Sequence, residues 1–313
     1  MMKIGVLGCG SIGLLWSSRV VQMDHQVILI PRTSEQKKVL HAFGLFSYDL
    51  SQQVTHYPIC AQSVADIEPG SIDILFVTVK NTQLSSIISH IQQLTNPQTQ
   101  ILFFQNGLGQ EKVAGALHDR PWTYLVVTSE GALRKEVNHI YHTGRGEVWI
   151  GLYSDREQEI HQTMSHFLKD SFWEAVEVNW QSDVNIMHRI WEKLLINSVI
   201  NPLTAIHHIT NGQLLESTYD EKREQLIRES IAVAHVEGYA FSYEQVKEKV
   251  ESICRHTAEN HSSMLQDLQR GNKTEIESIN GAIIRLANQH HIFVPTHEEM
   301  RQLVKEKEAL NRC

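Results

Sequence analysis

Lys3-Ile4-Gly5-Val6-Leu7, followed directly by Gly8-Cys9-Gly10-Ser11-Ile12-Gly13, is the stretch whose reading decides the fold. The first part is short and mostly apolar, as a buried strand is; the second spells Gly-x-Gly-x-x-Gly. Residues 14–22 continue as a helical run and residues 26–30 as a second strand. Strand, glycine turn, helix and strand within about thirty residues make the unit that binds a dinucleotide in a doubly wound sheet. Gly8 allows the tight turn, Gly10 lets the backbone approach a pyrophosphate, and Gly13 permits close helix–strand packing. The free amides at the helix start, those of Ser11 and Ile12 among them, and the helix dipole favour the phosphate charge. A glycine motif by itself can be a plain turn; the strand before it and the helix after it favour the dinucleotide site.

The end of the second strand separates the two nicotinamide dinucleotides. It reads Ile30-Pro31-Arg32-Thr33-Ser34, with an arginine and no carboxylate. An acidic residue there would hold the ribose 2′-hydroxyl of NAD, whereas a guanidinium pairs with a 2′-phosphate. NADP(H) is therefore the expected cofactor, the bland alternative being a surface arginine after a strand.

Residues 74–79, 101–104 and 122–127 are largely apolar runs, suited to strands buried on both faces of a parallel sheet. The first two end in polar residues, Thr78-Val79-Lys80-Asn81 and Gln105-Asn106-Gly107-Leu108-Gly109, and the third leads into Thr128-Ser129-Glu130-Gly131-Ala132. Open α/β sheets bind ligands at the carboxyl ends of their strands, so Lys80 and Asn106 are placed facing the cofactor crevice. Residues 139–143 and 147–152 flank Gly144-Arg145-Gly146 and read as a hairpin, and residues 157–169 as a helix.

From about residue 178 the pattern is helical, without strand-like alternation, and amphipathic helices are expected over 221–237, 242–259, 274–290 and 297–311. The expected architecture is α/β: an N-terminal Rossmann-like dinucleotide-binding domain, residues 1–180, followed by an all-helical C-terminal domain, residues 181–313. Residues 190–206 form a helix apolar almost all round, through Trp191, Leu194, Leu195, Ile196, Val199 and Ile200. Such a helix is usually buried. Yet it carries Lys193, Asn197 and Asn201 at i, i+4 and i+8, which at about 100° per residue fall in one sector of roughly 80°. Pro202 places Asn201 at a kink or helix end. A lysine on a buried helix is costly without a partner or a task; the structural alternative is a snorkelling side chain. Thr274 is placed to cap the helix that follows, with Glu275 in its first turn, where the dipole favours a carboxylate.

The chain has 313 residues, a length that suits two domains or one large one, and is 42% hydrophobic and 20% charged, as in an ordinary soluble protein. A formal charge of −8 argues against non-specific nucleic-acid binding. No apolar run is long enough to span a bilayer, and the N-terminus lacks a signal-peptide layout. Cys9, Cys60, Cys254 and Cys313 are scattered and read as free thiols in a reducing cytoplasm. The 18 histidines include close pairs such as His139/His142 and His256/His261, but no metal-binding spacing, and surface histidines are expected.

Taken together, the sequence resembles the ketopantoate reductase (2-dehydropantoate 2-reductase) family. The match is carried by Gly8 to Gly13, Arg32, Val77-Thr78-Val79-Lys80, the Gln105 to Gly109 stretch, residues 193–206, Asn211-Gly212, residues 262–267 and residues 274–281. The long motifs around Lys193 and Ser263 are far more specific than the glycine loop. The resemblance implies NADPH-dependent reduction of ketopantoate to pantoate in pantothenate biosynthesis, at a site between the two domains. It implies Lys193 as catalytic acid, and Asn197, Asn201, Asn211 and Ser263 as substrate ligands. Lys80, Asn106, Ala132 and Glu275 are implied on the cofactor side. The expected partners are a small 2-keto acid, no nucleic acid and no membrane, in a monomer or homodimer. A related NADP-dependent 2-keto or β-hydroxy acid dehydrogenase is the nearest alternative. A non-catalytic NADP(H)-binding regulator is the distant one, since it has no use for a lysine in an apolar helix.

Overall fold

The computed structural model describes residues 1–120, 122–153 and 160–310. It divides into two compact units: Met1–Gln105 with Gln110–Ile186, and Asn106–Gly109 with Met187–Cys313.

The first unit is built on an eight-stranded sheet. In spatial order the strands are Trp180–Ser182, Val148–Leu152, Thr123–Thr128, Gln100–Phe103, Ile74–Val77, Lys3–Leu7, Gln26–Ile30 and Cys60–Ala61. Lys3–Leu7 lies between Gln26–Ile30 and Ile74–Val77 and is parallel to both. Ile74, Leu75, Phe76, Val77, Ile101, Leu102 and Phe103 are all buried, which is why these strands are continuously apolar rather than alternating. Helix Ser11–Val20 turns Trp16 into an aromatic cluster, with ring centroids 5.3 Å from Phe104, 5.9 Å from Trp173 and 4.9 Å from Trp180.

A second sheet, in the order Val54–Tyr57, Leu45–Tyr48, His139–Gly144 and Gly131–Glu136, corrects the hairpin expected across residues 144–146. His139–Gly144 pairs antiparallel with Gly131–Glu136 and parallel with Leu45–Tyr48. Val148–Leu152 instead joins the large sheet, antiparallel to Thr123–Thr128. At the crossing, Gly146 lies so close to the Ser129 backbone that a Cβ there would collide with it. His142 is also no surface histidine: its Nε2 lies 2.8 Å from Glu130 Oε2, and Arg19 Nη2 reaches the same oxygen at 2.7 Å. Burial alone would raise the Glu130 pKa, but the His142 hydrogen bond and the Arg19 charge outweigh it and hold the carboxyl below its usual range. The helix expected over 157–169 is Gln162–Leu168, and its first three residues lie outside the described ones. Trp180–Ser182 is a strand within a stretch expected to be helical; three residues are too few to show alternation.

The second unit is helical among the described residues: Ile186–His207, Asp220–Val236, Tyr243–His256, Ser263–Gln269, Asn280–Gln289 and Pro295–Leu310, with short 3₁₀ turns. The helix expected to start at Thr274 starts at Asn280. Thr274 donates its hydroxyl to Glu308 Oε1 at 2.6 Å and accepts from Ile276 N–H, so it braces a turn and not a helix end. Glu275 therefore stands in that turn, outside the helix.

Pro202 neither ends nor caps its helix, which runs unbroken to His207. A proline at that position leaves the Ser198 carbonyl, four residues earlier, without its helical donor. Asn280 supplies the replacement: its Nδ2 donates to Ser198 O at 2.9 Å and lies 3.0 Å from His297 Nδ1. The His297 Nε2–H donates onward to Leu226 O at 3.1 Å, which fixes the neutral tautomer in a fully buried ring. Burial depresses the His297 pKa to about 4, so the chain of bonds persists at neutral pH. Asn280→Ala should cost about 1–3 kcal/mol, the penalty of a buried unsatisfied group. In a Pro202→Ala background the helix has its own N–H for Ser198, and the cost of Asn280→Ala should shrink. Denaturant titrations of the four proteins measure this; equal costs in both backgrounds would refute the account of Pro202.

Candidate active site

On the first unit, the glycine loop is fixed by its neighbours. Gly8 has φ +106°, where a side chain is strained, and a Cβ there would come within 2.7 Å of Val79 N. A Cβ on Gly13 would collide with the Gly8 carbonyl oxygen, whereas one on Gly10 would meet nothing within 4 Å. Space is therefore closed at the first and third glycines and open at the second, where a pyrophosphate has to approach. Gly8 N–H donates to Ile30 O at 3.0 Å, and the Thr78 hydroxyl donates to Gly8 O at 2.6 Å. Helix Ser11–Val20 has Gly10 as its N-cap, without a side-chain cap and without an acidic residue in its first turn. Its positive end keeps its full effect on a bound anion. Ser11 and Ile12 occupy that first turn.

Cys9 is buried, and burial pushes its thiol up to about 12, which excludes a nucleophilic role at neutral pH. Its carbonyl accepts from Gln36 Nε2 at 2.8 Å and from Arg134 Nη1 at 3.1 Å. Arg32 is exposed beyond strand Gln26–Ile30, and Thr33 after it caps helix Ser34–Phe43 by accepting from Gln36 N–H at 3.2 Å. Half-buried Lys80 leads into the 3₁₀ turn Asn81–Ile87. Ala132 is half-buried on Gly131–Glu136, two residues from Arg134, whose N–H donates to Ser11 Oγ at 3.2 Å. Gln36 and Arg134 are residues that sequence reasoning missed. Their contacts with Cys9 span 27 and 125 residues of chain, and no local pattern carries them.

On the second unit, helix Ile186–His207 buries Ile190, Trp191, Leu194, Leu195, Ile196, Val199 and Ile200. Lys193 and Asn197 are half-buried and Asn201 is buried. Burial lowers the Lys193 pKa to about 8, against the opposing charge of Glu275, which raises it. Glu275 Oε2 also accepts from Asn106 Nδ2 at 3.1 Å. The Asn106 loop is held to the same turn, where Leu108 N–H donates to Ser278 O at 3.0 Å. Gly107, at φ +77°, sits so close to that oxygen that a Cβ would collide with it. Lys193, Glu275 and Asn106 are thus brought together from three separate parts of the sequence.

Two further groups of polar residues lie in the same unit. Asn211 donates its Nδ2 to Thr257 Oγ1 at 2.9 Å, while its buried Oδ1 has no hydrogen-bond partner among the described residues. A buried acceptor left unsatisfied in this way suits a ligand that brings a hydroxyl. Ser262 caps helix Ser263–Gln269, accepting from Leu265 N–H at 3.2 Å and from the Thr204 hydroxyl at 2.7 Å. Thr204 belongs to the Lys193 helix, so the start of the Ser263 helix is tied to it, and Ser263 itself is exposed there.

Among the described residues no group of three or more His, Cys, Asp or Glu could hold a metal ion, and no helix is long and apolar enough to cross a membrane. Cys9, Cys60 and Cys254 are free; Cys313 lies outside the described residues.

Glu275→Gln removes the charge that opposes desolvation, so the Lys193 Nζ titration followed by NMR should move below its midpoint of about 8. An unchanged or raised midpoint would show that Glu275 does not act on the lysine.

Comparison with known proteins gives consistent findings. Residues 4–155 match the family model described as Ketopantoate reductase PanE/ApbA, and residues 185–308 match Ketopantoate reductase PanE/ApbA C terminal. A 2-dehydropantoate 2-reductase of Yersinia pestis is 32% identical over 314 residues, covering 98% of this chain and 96% of that protein. Among solved structures, the probable 2-dehydropantoate 2-reductase of Bacillus subtilis superposes with TM-score 0.82 at 26% identity, covering 98% of this chain and 100% of that one. A D-mandelate dehydrogenase solved with NADH and anilino(oxo)acetate superposes with TM-score 0.90 at 24% identity, covering 99% of both chains. That last likeness speaks for the fold alone.

Proposed function

The chain belongs to the ketopantoate reductase family, and from that premise we propose that it reduces the 2-keto group of 2-dehydropantoate with NADPH, giving pantoate. The observation that carries this reading is Lys193: a lysine on an apolar helix, with a pKa brought down to about 8 and sustained there by Glu275. At pH 7 such a group is about tenfold more often protonated than not, yet far readier to give up its proton than an exposed lysine.

When bound, the nicotinamide supplies the hydride that reduces C2. The carbonyl π electrons then move to oxygen, where negative charge develops. Lys193 stabilises that charge and donates the proton from Nζ, becoming neutral and regaining a proton from solvent afterwards. Asn197 and Asn201 hydrogen-bond the substrate hydroxyl, and the orphaned Asn211 Oδ1 accepts from a ligand donor. Ser263 and the neighbouring amides at its helix start hold the carboxylate. Glu275 favours the charged form of Lys193 and accepts from Asn106, which the family resemblance assigns to the cofactor contacts.

Gly8, Gly10 and Gly13, with the Ser11 and Ile12 amides, fit a pyrophosphate, because the loop is open over Gly10 and its helix start carries no acidic residue. Arg32 takes the 2′-phosphate, and Lys80 and the strand through Ala132 complete the cofactor contacts. Buried thiols with no disulfide among the described residues support a reducing compartment, the cytoplasm. The acidic net charge of −8 supports a small-molecule substrate without a nucleic-acid partner. The assigned residues all come from one chain, so the reading holds for a monomer and for a homodimer.

NADPH oxidation against a panel of 2-keto acids tests the assignment. Kcat/KM should be highest for 2-dehydropantoate, and Lys193→Ala should lower kcat by a factor on the order of 10²–10⁴ while leaving NADPH affinity nearly unchanged. A higher kcat/KM for a different keto acid would overturn the substrate. A Lys193→Ala protein with near-normal kcat would overturn the acid.

A further inference from the structure

The glycine loop is gripped from outside its own motif. The Cys9 carbonyl accepts both the Gln36 amide and the Arg134 guanidinium, and Arg134 N–H donates to Ser11 Oγ. Arg134 is exposed as a residue on strand Gly131–Glu136, and its guanidinium is anchored to the loop through Nη1. Cys9 stands at a particular end of the loop. Leu7 pairs with Ile30 across the two parallel strands, and Gly8 N–H donates to Ile30 O at 3.0 Å. Cys9 and Arg32 therefore follow neighbouring strand ends, each two residues beyond the paired positions. Gln36 ties the two together, since it donates to Cys9 O and is itself capped by Thr33, the residue after Arg32. Lys37, the next cation along, has its charge taken up by Asp66 at 3.1 Å.

The chemistry asked of this corner is more than one guanidinium provides. A phosphate monoester carries about −1.5 to −2 charges at neutral pH and offers three acceptor oxygens. Resting on the reading of this loop as the NADPH site, we propose that Arg134 is a second specificity determinant for the phosphorylated dinucleotide: with Arg32 it neutralises the adenosine 2′-phosphate. The bond to Cys9 O fixes the guanidinium beside the loop before the nucleotide arrives, which limits the ordering cost of binding.

The test uses nucleotides that differ only in that phosphate. Arg134→Gln keeps an amide donor for Cys9 O and removes the charge; Arg134→Met, a second neutral variant, removes both. Calorimetry on the full chain should show Arg134→Gln binding adenosine 2′,5′-bisphosphate at least about tenfold more weakly, as expected for losing a charged hydrogen bond. Adenosine 5′-monophosphate should bind as in the wild type. NADPH affinity should fall and NADH affinity should hold, and Arg134→Lys should restore part of the discrimination. Equal losses for both nucleotides would overturn the inference by assigning the guanidinium to the pyrophosphate or to loop stability, and no loss for either would also overturn it. These failures differ from failure of the cofactor reading itself, in which the unmodified protein binds neither NADPH nor NADH.

Discussion

A lysine kept on an apolar helix stays charged only while something opposes its desolvation, and in this chain that opposition is the carboxylate of Glu275. The two effects pull in opposite directions, and burial wins by enough to bring the lysine to about 8 without neutralising it. Much of the second unit serves that balance. The Thr274 turn is fastened to Glu308, which holds Glu275 outside the following helix, and the Asn106 loop is pinned to the same turn at Ser278. The Lys193 helix runs unbroken past Pro202, and Asn280 replaces the donor that the proline withholds from Ser198 O. A buried asparagine, itself in contact with a buried neutral histidine, thus satisfies the carbonyl that the proline leaves open where the polar stripe lies.

The first unit answers a different constraint: a dianionic or polyanionic ligand must be met by donors already in place. The loop is closed at Gly8 and Gly13, open at Gly10, and held at Cys9 by Gln36 and Arg134. The small sheet that brings Arg134 to the loop is itself fastened to helix Ser11–Val20 through the buried Arg19–Glu130–His142 group. An ion group of this kind is weak as a source of stability but costly to break, because removing one member leaves a buried charge. It ties His142 of the small sheet to Arg19 of helix Ser11–Val20 through one carboxylate.

The parts legible in the sequence were those written in local patterns. The first strand, the glycine loop and the helix after it follow from spacing alone, as does the polar stripe on the Lys193 helix. The strand at 139–143 was legible but its partners were not, because Leu45–Tyr48 and His139–Gly144 pair across some ninety residues and no local pattern connects them. The expected hairpin failed for the same reason: the glycines at 144 and 146 mark a crossing between sheets, and the residues themselves do not tell a crossing from a turn. Pro202 was read by the general rule for proline, and the exception depends on Asn280, which no local pattern connects with it. Glu275 was expected in a helix start because Thr274 has the right side chain, but Glu308 competes for that hydroxyl.

Acid catalysis at this helix requires that Lys193 give a proton from a pKa set by burial and Glu275. The most direct measurement is the pH dependence of hydride transfer in a single turnover with NADPH and 2-dehydropantoate. Because the acid must be protonated, the rate should be level below about 8 and fall as pH rises through that value. A rate that stays level well above that pH, or that falls only where an ordinary exposed lysine titrates, would contradict it.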